Sequence, residues 1–218
     1  MTHKRGFYEI VIKRFLDILL STIGLLILSP VLLILIIAGA IAMGGNPFFT
    51  QARPGRDEKI FKMLKFRTMD NRRGADGELL PDEVRLNKYG RFLRSTSLDE
   101  LPELINIWLG QMSIVGPRPL LVKYLDRYNE RQHHRHDVRP GLTGYAQAHG
   151  RNALSWEDRF EMDVWYASHM SFKTDISVIL ATVKTVIKRD GISSGTSATM
   201  EEFKGSSENA EITWQPPY

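Results

Sequence analysis

LLILSPVLLIL, Leu25 to Leu35, lies inside a run from Ile18 to Met43 that carries no charged residue. Its Ser-Pro step decides how that run behaves in a membrane. A cleaved signal would place Lys4, Arg5, Lys13 and Arg14 before the apolar core and Ala38-Gly39-Ala40 at the cut, but a signal core is only about 7–15 residues long. A spanning helix has ample length, since about 20 apolar residues cross the hydrocarbon. Two features oppose it. Pro30 lacks an N–H and crowds the carbonyl four residues back. Positive residues also flank both ends: Lys13 and Arg14 before, then Arg53, Arg56, Lys59, Lys62, Lys65 and Arg67 after. The positive-inside tendency keeps both ends cytoplasmic. A re-entrant helix-break-helix satisfies both features. Ile18 to Ser29 makes about 18 Å of helix and Pro30 to Met43 about 21 Å, each too short to cross. The Ser29 hydroxyl is placed to serve a carbonyl freed at the break. Proline also occurs in ordinary spanning helices, so the residues alone leave the spanning and re-entrant readings open.

Beyond this run the chain is polar and charged. The 218 residues suit one domain plus an anchor. Lys and Arg number 29 against 25 Asp and Glu, a net charge of +4 that suits anionic lipid or phosphorylated ligands. Cysteine is absent, which excludes disulfides, thiol nucleophiles and thiolate metal sites. Residues 1–46 read as the membrane segment, 47–192 as one polar globular domain and 193–218 as a tail. That tail, SSGTSATMEEFKGSSENAEITWQPPY, has little apolar area to offset ordering, which predicts a loose segment.

The domain opens with a hairpin pattern. Phe48 to Ala52 is strand-like, RPGRDEK turns, and Ile60 to Arg67 mixes apolar and basic residues. Its basic residues suit a solvated face or a collar near headgroups and phosphate. DNRRGADGELLP is a loop by composition. DEVRLNKYGRFLRS predicts one helix, and SLDELPELINIWLGQM a second with Leu101, Leu104, Ile105 and Trp108 at helical spacing. At the start of the second stand Asp99 and Glu100. Ser97 and Glu100 can form a capping box, while Asp99 as cap places Pro102 where no hydrogen bond is lost; both remain open. Adjacent acids also approach one centre from directions about 100° apart. A helix N-terminus favours phosphate and holds a carboxylate ionised, as a nucleophile or metal ligand requires.

Further along, GPRP stiffens Arg118 between prolines, which suits phosphate contact. RPGLTGYAQAHGRNALSW, Arg139 to Trp156, predicts a long glycine-rich loop with exposed amides, Tyr145, Arg139 and Arg151, or else a plain linker. HHRH, with His133, His134 and His136, has no acid at ligand spacing except Asp137 and reads as a solvated helix end. WEDRFEMDVWYASHM and DISVILATVKTVI predict amphipathic helices. Trp156, Phe160, Trp165 and Tyr166 suit a membrane interface or a packed core stripe.

VIKRFLDI, LSPV, FTQARPGRDEKIFKMLKFRTM, LRSTSLDELPELINIW, MSIVGPRPLL and VRPGLTGYAQAHGRNA occur in this order. The chain thereby resembles the bacterial sugar transferases, specifically the small monotopic phosphoglycosyl transferases of the PglC type, from about Tyr8 to Phe203. The resemblance implies a mainly α fold with a small β-hairpin, an N-terminal re-entrant helix bent at Ser29 and Pro30, and interfacial amphipathic helices. It implies an inner-membrane location with the catalytic domain on the cytoplasmic face. It implies Asp99 and Glu100 as the catalytic dyad and as Mg²⁺ ligands, with Lys65, Arg94, Arg118 and Arg151 binding substrate. The implied reaction moves a phospho-sugar from a UDP-sugar to undecaprenyl phosphate and releases UMP through an aspartyl intermediate. The PglC type points to an acetamido sugar such as diacetylbacillosamine and to protein glycosylation. Larger relatives carry extra N-terminal helices, and this sequence resembles the minimal form. Nucleic acid is not an expected partner. The rival reading is a membrane-tethered basic domain that binds anionic lipid or nucleic acid without catalysis.

Overall fold

The computed structural model describes residues 5–150, 154–188, 202–206 and 212–217. One π-helical turn, Tyr8–Lys13, leads into helix α1, Arg14–Met43. Among the described residues this is the one helix long and apolar enough to cross a membrane. It remains helical through Ser29 and Pro30, so the expected division into two helices does not appear. Pro30 removes the N–H that would bond Leu26. The Ser29 hydroxyl donates to that same Leu26 carbonyl at 2.7 Å, so the backbone there stays satisfied without an interruption. Gly44, in the left-handed region where glycine carries no Cβ penalty, ends the helix.

The domain packs along α1 from end to end. Near the start, Lys13 pairs with Asp175 at 2.5 Å, and Arg14 donates to the carbonyls of Ile107 and Trp108 at 2.7 Å each. Asp17 accepts from the Ser113 hydroxyl and the Ile114 amide, both at 2.9 Å. Midway, Leu25 and Leu28 pack on Phe61, Met63, Leu104, Ile107 and Met112. Toward the end, Leu32, Leu35 and Ile36 meet Phe66, Leu93, Leu98 and Leu101. Tyr89 donates to the Leu35 carbonyl at 2.8 Å. Gly39 lets the helix come close: a Cβ there would lie 2.8 Å from the Tyr89 hydroxyl and 2.9 Å from Pro47. The opposite side of α1 is bare, with Leu26 and Ile27 each 70% exposed. Each such side chain is worth about 1.5–3 kcal/mol on burial, so this face calls for an apolar cover.

The hairpin forms as the alternation predicts. β1, Phe48–Pro54, pairs antiparallel with β2, Ile60–Phe66, in a register that sets Phe48 against Phe66 and Pro54 against Ile60. The helix expected over residues 82–95 divides into α2, Asp82–Arg85, and α3, Lys88–Thr96. Asn87 leaves helical geometry to cap α3, its side chain accepting from the Gly90 amide. After a 3₁₀ turn at Leu98–Glu100 comes α4, Glu103–Trp108, and then β3, Ser113–Val115. A short helix α5, Glu130–His133, precedes β4, Gly141–Thr143, which pairs parallel with β3. Helices α6, Tyr145–His149, α7, Trp156–Ser168, and α8, Phe172–Lys188, complete the order.

Three expectations change here. The glycine-rich run from Arg139 is largely ordered as β4 and α6. A Cβ on Gly141 would fall 2.1 Å from the Gly116 amide nitrogen, and one on Gly144 2.3 Å from the Gly116 carbonyl. These glycines admit a close backbone crossing rather than expose amides. Helix α7 is a core element: Phe160 and Tyr166 are buried, in separate clusters with Phe203 and with Val115. Of the two amphipathic helices, α8 alone bares an apolar row, at Phe172, Ile176, Leu180 and Val183. Two stretches of the tail are docked. Phe203 inserts among Tyr124, Tyr128, Trp156 and Phe160. The Asp158 carboxylate accepts from the Thr213 hydroxyl and from the amides of Thr213 and Trp214. Apolar content alone underrated these few aromatic anchors.

Candidate active site

Strand β2 alternates, so Phe61, Met63 and Lys65 point to one side. The first two are buried against α4. The buried Asn106 then pins α4 to the strand: its Nδ2 donates to the Lys62 carbonyl and its Oδ1 accepts from the Leu64 amide, each at 2.9 Å. That registration brings the Lys65 ammonium 2.7 Å from Glu100 Oε1 and 3.1 Å from Glu103 Oε1. Arg118, presented by the Pro117-Arg118-Pro119 turn after β3, places Nη2 2.6 Å from the same Glu100 oxygen. Two cations therefore share one oxygen. Glu100 Oε2 accepts no hydrogen bond from the described residues.

Asp99 and Glu100 lie on the 3₁₀ turn. Ser97, at φ 55°, makes the corner between α3 and that turn. Neither capping scheme forms. Ser97 makes no side-chain cap bond, Glu100 is committed to Lys65 and Arg118, and Pro102 itself precedes α4, where its missing N–H costs nothing. Leu98 and Leu101 flank the dyad and pack beside Leu35 of α1, so the turn is seated on the membrane helix.

The two neighbours differ electrostatically. Burial alone would raise the Glu100 carboxyl, but the Arg118 guanidinium and the Lys65 ammonium outweigh it and hold it down at about 2. Asp99 moves the other way: burial and the Glu100 charge raise it above the usual range, and Lys65 and Arg94 offset them only in part. The expectation of a depressed Asp99 is thus corrected. The cations that would depress it bond Glu100 instead, and no side chain among the described residues donates to Asp99. Glu103, buried one turn beyond Glu100, is also raised, chiefly by burial.

Sequence reading placed Lys65, Asp99, Glu100 and Arg118 at one centre, and the structure brings them together. Arg94 stands at the margin, exposed, its Nε donating to the Thr68 hydroxyl at 3.1 Å. Arg151 lies outside the described residues. Glu103 was missed. Its spacing of three from Glu100 in DELPE, which sets both on one helical face, is the available signal. The histidines scatter to separate partners. His133 meets Glu58 at 2.5 Å and His134 meets Asp137 at 2.9 Å; His136 is buried, which pushes its imidazole down to about 3 and keeps it neutral.

Among the described residues no group of three or more side chains could hold a metal by itself. Mg²⁺ is commonly held by one or two carboxylates together with substrate phosphates. Asp99, to which no side chain among the described residues donates, and the spare Oε2 of Glu100 fit that kind of site.

The fold and site together define a membrane-associated domain with an acid dyad set among cations. The profile of the bacterial sugar transferase family matches residues 8–189. The chain belongs to that family and is an enzyme of the sugar-phosphate transferase kind. It is 46% identical over 196 residues to an uncharacterized sugar transferase, EpsL, of Bacillus subtilis, covering 90% of this chain and 97% of that one. It is 39% identical over 185 residues to the UDP-glucose:undecaprenyl-phosphate glucose-1-phosphate transferase of Klebsiella pneumoniae, covering 80% of this chain and 40% of the relative. It is 36% identical over 197 residues to the undecaprenyl-phosphate galactose phosphotransferase of Salmonella typhimurium, covering 83% and 41%. The chain thus spans less than half the length of these two longer relatives.

Proposed function

We propose that the protein is a monotopic phosphoglycosyl transferase that moves a phospho-sugar from a UDP-sugar to undecaprenyl phosphate at the cytoplasmic leaflet of the inner membrane. The observation that carries this reading is the division of labour in the dyad. Lys65 and Arg118 converge on Glu100 and, among the described residues, leave the adjacent Asp99 carboxylate without a side-chain donor. A raised pKa makes the ionised Asp99 a more basic, stronger nucleophile.

An Asp99 oxygen bonds to the sugar-linked phosphorus as the bond from that phosphorus to the UMP oxygen breaks, and UMP leaves. A phosphate oxygen of the lipid then attacks the same phosphorus. The Asp99–phosphorus bond breaks, the carboxylate is restored, and a polyprenyl diphospho-sugar departs. Lys65, Arg94, Arg118 and Arg151 supply positive charge to the phosphoryl oxygens. Mg²⁺ bound by Asp99 and Glu100 would supply further charge against the diphosphate. Glu100 keeps Lys65 and Arg118 aimed at the centre.

Re-entrant insertion of α1 is supported by packing: one domain touches the helix from Arg14 to Gly39. A span would carry one of those ends roughly 30 Å away across the bilayer. Ser29 and Pro30 would mark the bend in lipid. The printed names of the relatives specify glucose and galactose, whereas the PglC-type resemblance favours an acetamido sugar and protein glycosylation. A panel of UDP-sugars with undecaprenyl phosphate and Mg²⁺ decides the donor. Under single-turnover conditions, label from the sugar phosphate is expected on the protein before the lipid is added. UMP release with no protein-bound label would overturn the aspartyl intermediate. Salt-sensitive vesicle binding with no UMP release from any donor would instead favour the non-catalytic lipid-binding reading.

A further inference from the structure

HHRH holds a residue that the histidines conceal. Arg135 is the largest fully buried side chain in the described protein. Its guanidinium pairs with Asp163 of α7, with side-chain exposures of 1% and 3%. Nε and Nη2 both donate to Asp163 Oδ2, at 3.1 and 2.6 Å. The same Nη2 donates to the backbone carbonyl of Arg118 at 2.8 Å. The guanidinium also lies over the rings of Tyr128 and Phe160, at 5.8 and 5.6 Å.

A buried ion pair of this kind is poorly explained by stability. Desolvating two charges costs several kcal/mol, and well-packed apolar residues often do as well. Its geometry suggests another use. The carbonyl it grips belongs to the residue whose side chain reaches Glu100. Arg53 takes the next carbonyl of the turn, Nη1 donating to Pro119 at 3.2 Å. Pro117 and Pro119 stiffen the turn internally but cannot fix its attitude to the rest of the domain. Arg135, locked to α7 by Asp163, does that.

We propose that Arg135 and Asp163 are positioning residues for the transfer reaction. They orient the Arg118 turn so that its guanidinium meets Glu100 and the donor's diphosphate together. Neither touches substrate; both act through Arg118. Arginine is needed because only its planar fork can engage a carboxylate and a carbonyl at fixed angles. Lysine keeps the charge and loses that fork.

The inference rests on the phosphoryl-transfer reading of Arg118, and a double-mutant cycle tests it. Full-length protein in detergent is compared as parent, Arg135→Lys, Arg118→Ala and the double variant. Two readouts are followed: kcat/KM for UMP release from the donor the panel identifies, and the dissociation constant for UDP. Arg135→Lys is expected to lower kcat/KM by about 10–100-fold and to weaken UDP binding. In the Arg118→Ala background the same change should alter either readout less than about twofold. Effects that multiply in the two backgrounds overturn the proposal, because a general structural role would act whether or not Arg118 is present. Full activity of Arg135→Lys overturns it too. Should the parent bind UDP yet release no UMP, the transfer reading fails while the UDP cycle still decides the coupling. A parent that neither binds UDP nor releases UMP overturns both. Asp163→Glu keeps the ion pair; partial recovery of kcat/KM relative to Asp163→Asn, at a temperature where both variants are fully folded, is the expected rescue, and no difference between the two counts against the proposal.

Discussion

Two acid–cation clusters lie within one domain and differ in access. Arg135 and Asp163 form a closed set: deep, with Nε and Nη2 of the fork directed at Asp163 and at the Arg118 carbonyl. Glu100, Lys65 and Arg118 form an open one. Glu100 is 19% exposed, and its two cations use a single oxygen. Next to it stands Asp99, to which no side chain among the described residues donates. The closed set is shut away from solvent, with side-chain exposures of 1% and 3%. The open set has a spare acid and cationic charge at a surface a phosphate can reach. What separates architecture from chemistry here is access, together with the spare acid beside Glu100.

The sharpest way to break this contrast is to remove the spare acid. Asp99→Asn should lower UMP release by more than about 10⁴-fold with a thermal midpoint no lower than the parent's, because no side chain among the described residues depends on it. Retained turnover would show that the unengaged acid is incidental.

The closed set should respond in the opposite currency. Asp163→Asn leaves Arg135 as a lone buried cation, and is expected to cost about 3 kcal/mol, a fall of roughly 6–12 °C in the midpoint. Thermal unfolding in detergent measures it. A shift under one degree would mean that the buried pair does not hold the fold together.

The smallest effect is a difference in sign with pH. Glu100 sits at about 2, below its unfolded value. Its stabilisation is present above pH ~4.5 and is lost as pH falls toward 2. Solvent screening at Arg118, 41% exposed, limits it to the order of 2 kcal/mol. Asp99 is raised, so it takes stability away as pH climbs through its folded-state value. Unfolding curves should show Glu100→Gln losing stability relative to the parent above pH ~4.5 and converging with it below. Asp99→Asn should gain over the corresponding rise. Shifts of equal sign in both variants would erase the electrostatic distinction between the neighbours.

Much of this was legible in the residues, and for local reasons. The β1–β2 hairpin follows from alternating bulky residues around RPGRDEK, which neighbours alone determine. The dyad and the proline-flanked Arg118 were visible because unusual residue pairs stand out in one dimension. What escaped depends on distant partners. That Asp99 is raised follows first from its burial and then from the charge of Glu100, while Lys65 and Arg118 bond Glu100 instead, a partnership fixed by Asn106 holding α4 on β2. The glycines of residues 141–144 read as loop because a close backbone crossing leaves the same signature as a turn. Arg135 was hidden among histidines because its partner, Asp163, lies 28 positions away. Pro30 predicted an interrupted helix, and a single serine hydroxyl was enough to keep it continuous.

The seating of α1 on the domain has a practical consequence for anyone handling the protein. A truncated form beginning at Phe48 would not be a trimmed soluble enzyme. It would lose the leucines that cover Phe61, Met63, Ile107 and Met112, and strip the support from beneath the turn that bears Asp99. The greasy N-terminal helix is as much part of the domain's core as a mooring, and such a fragment should be recovered as aggregate, however well the detergent is chosen.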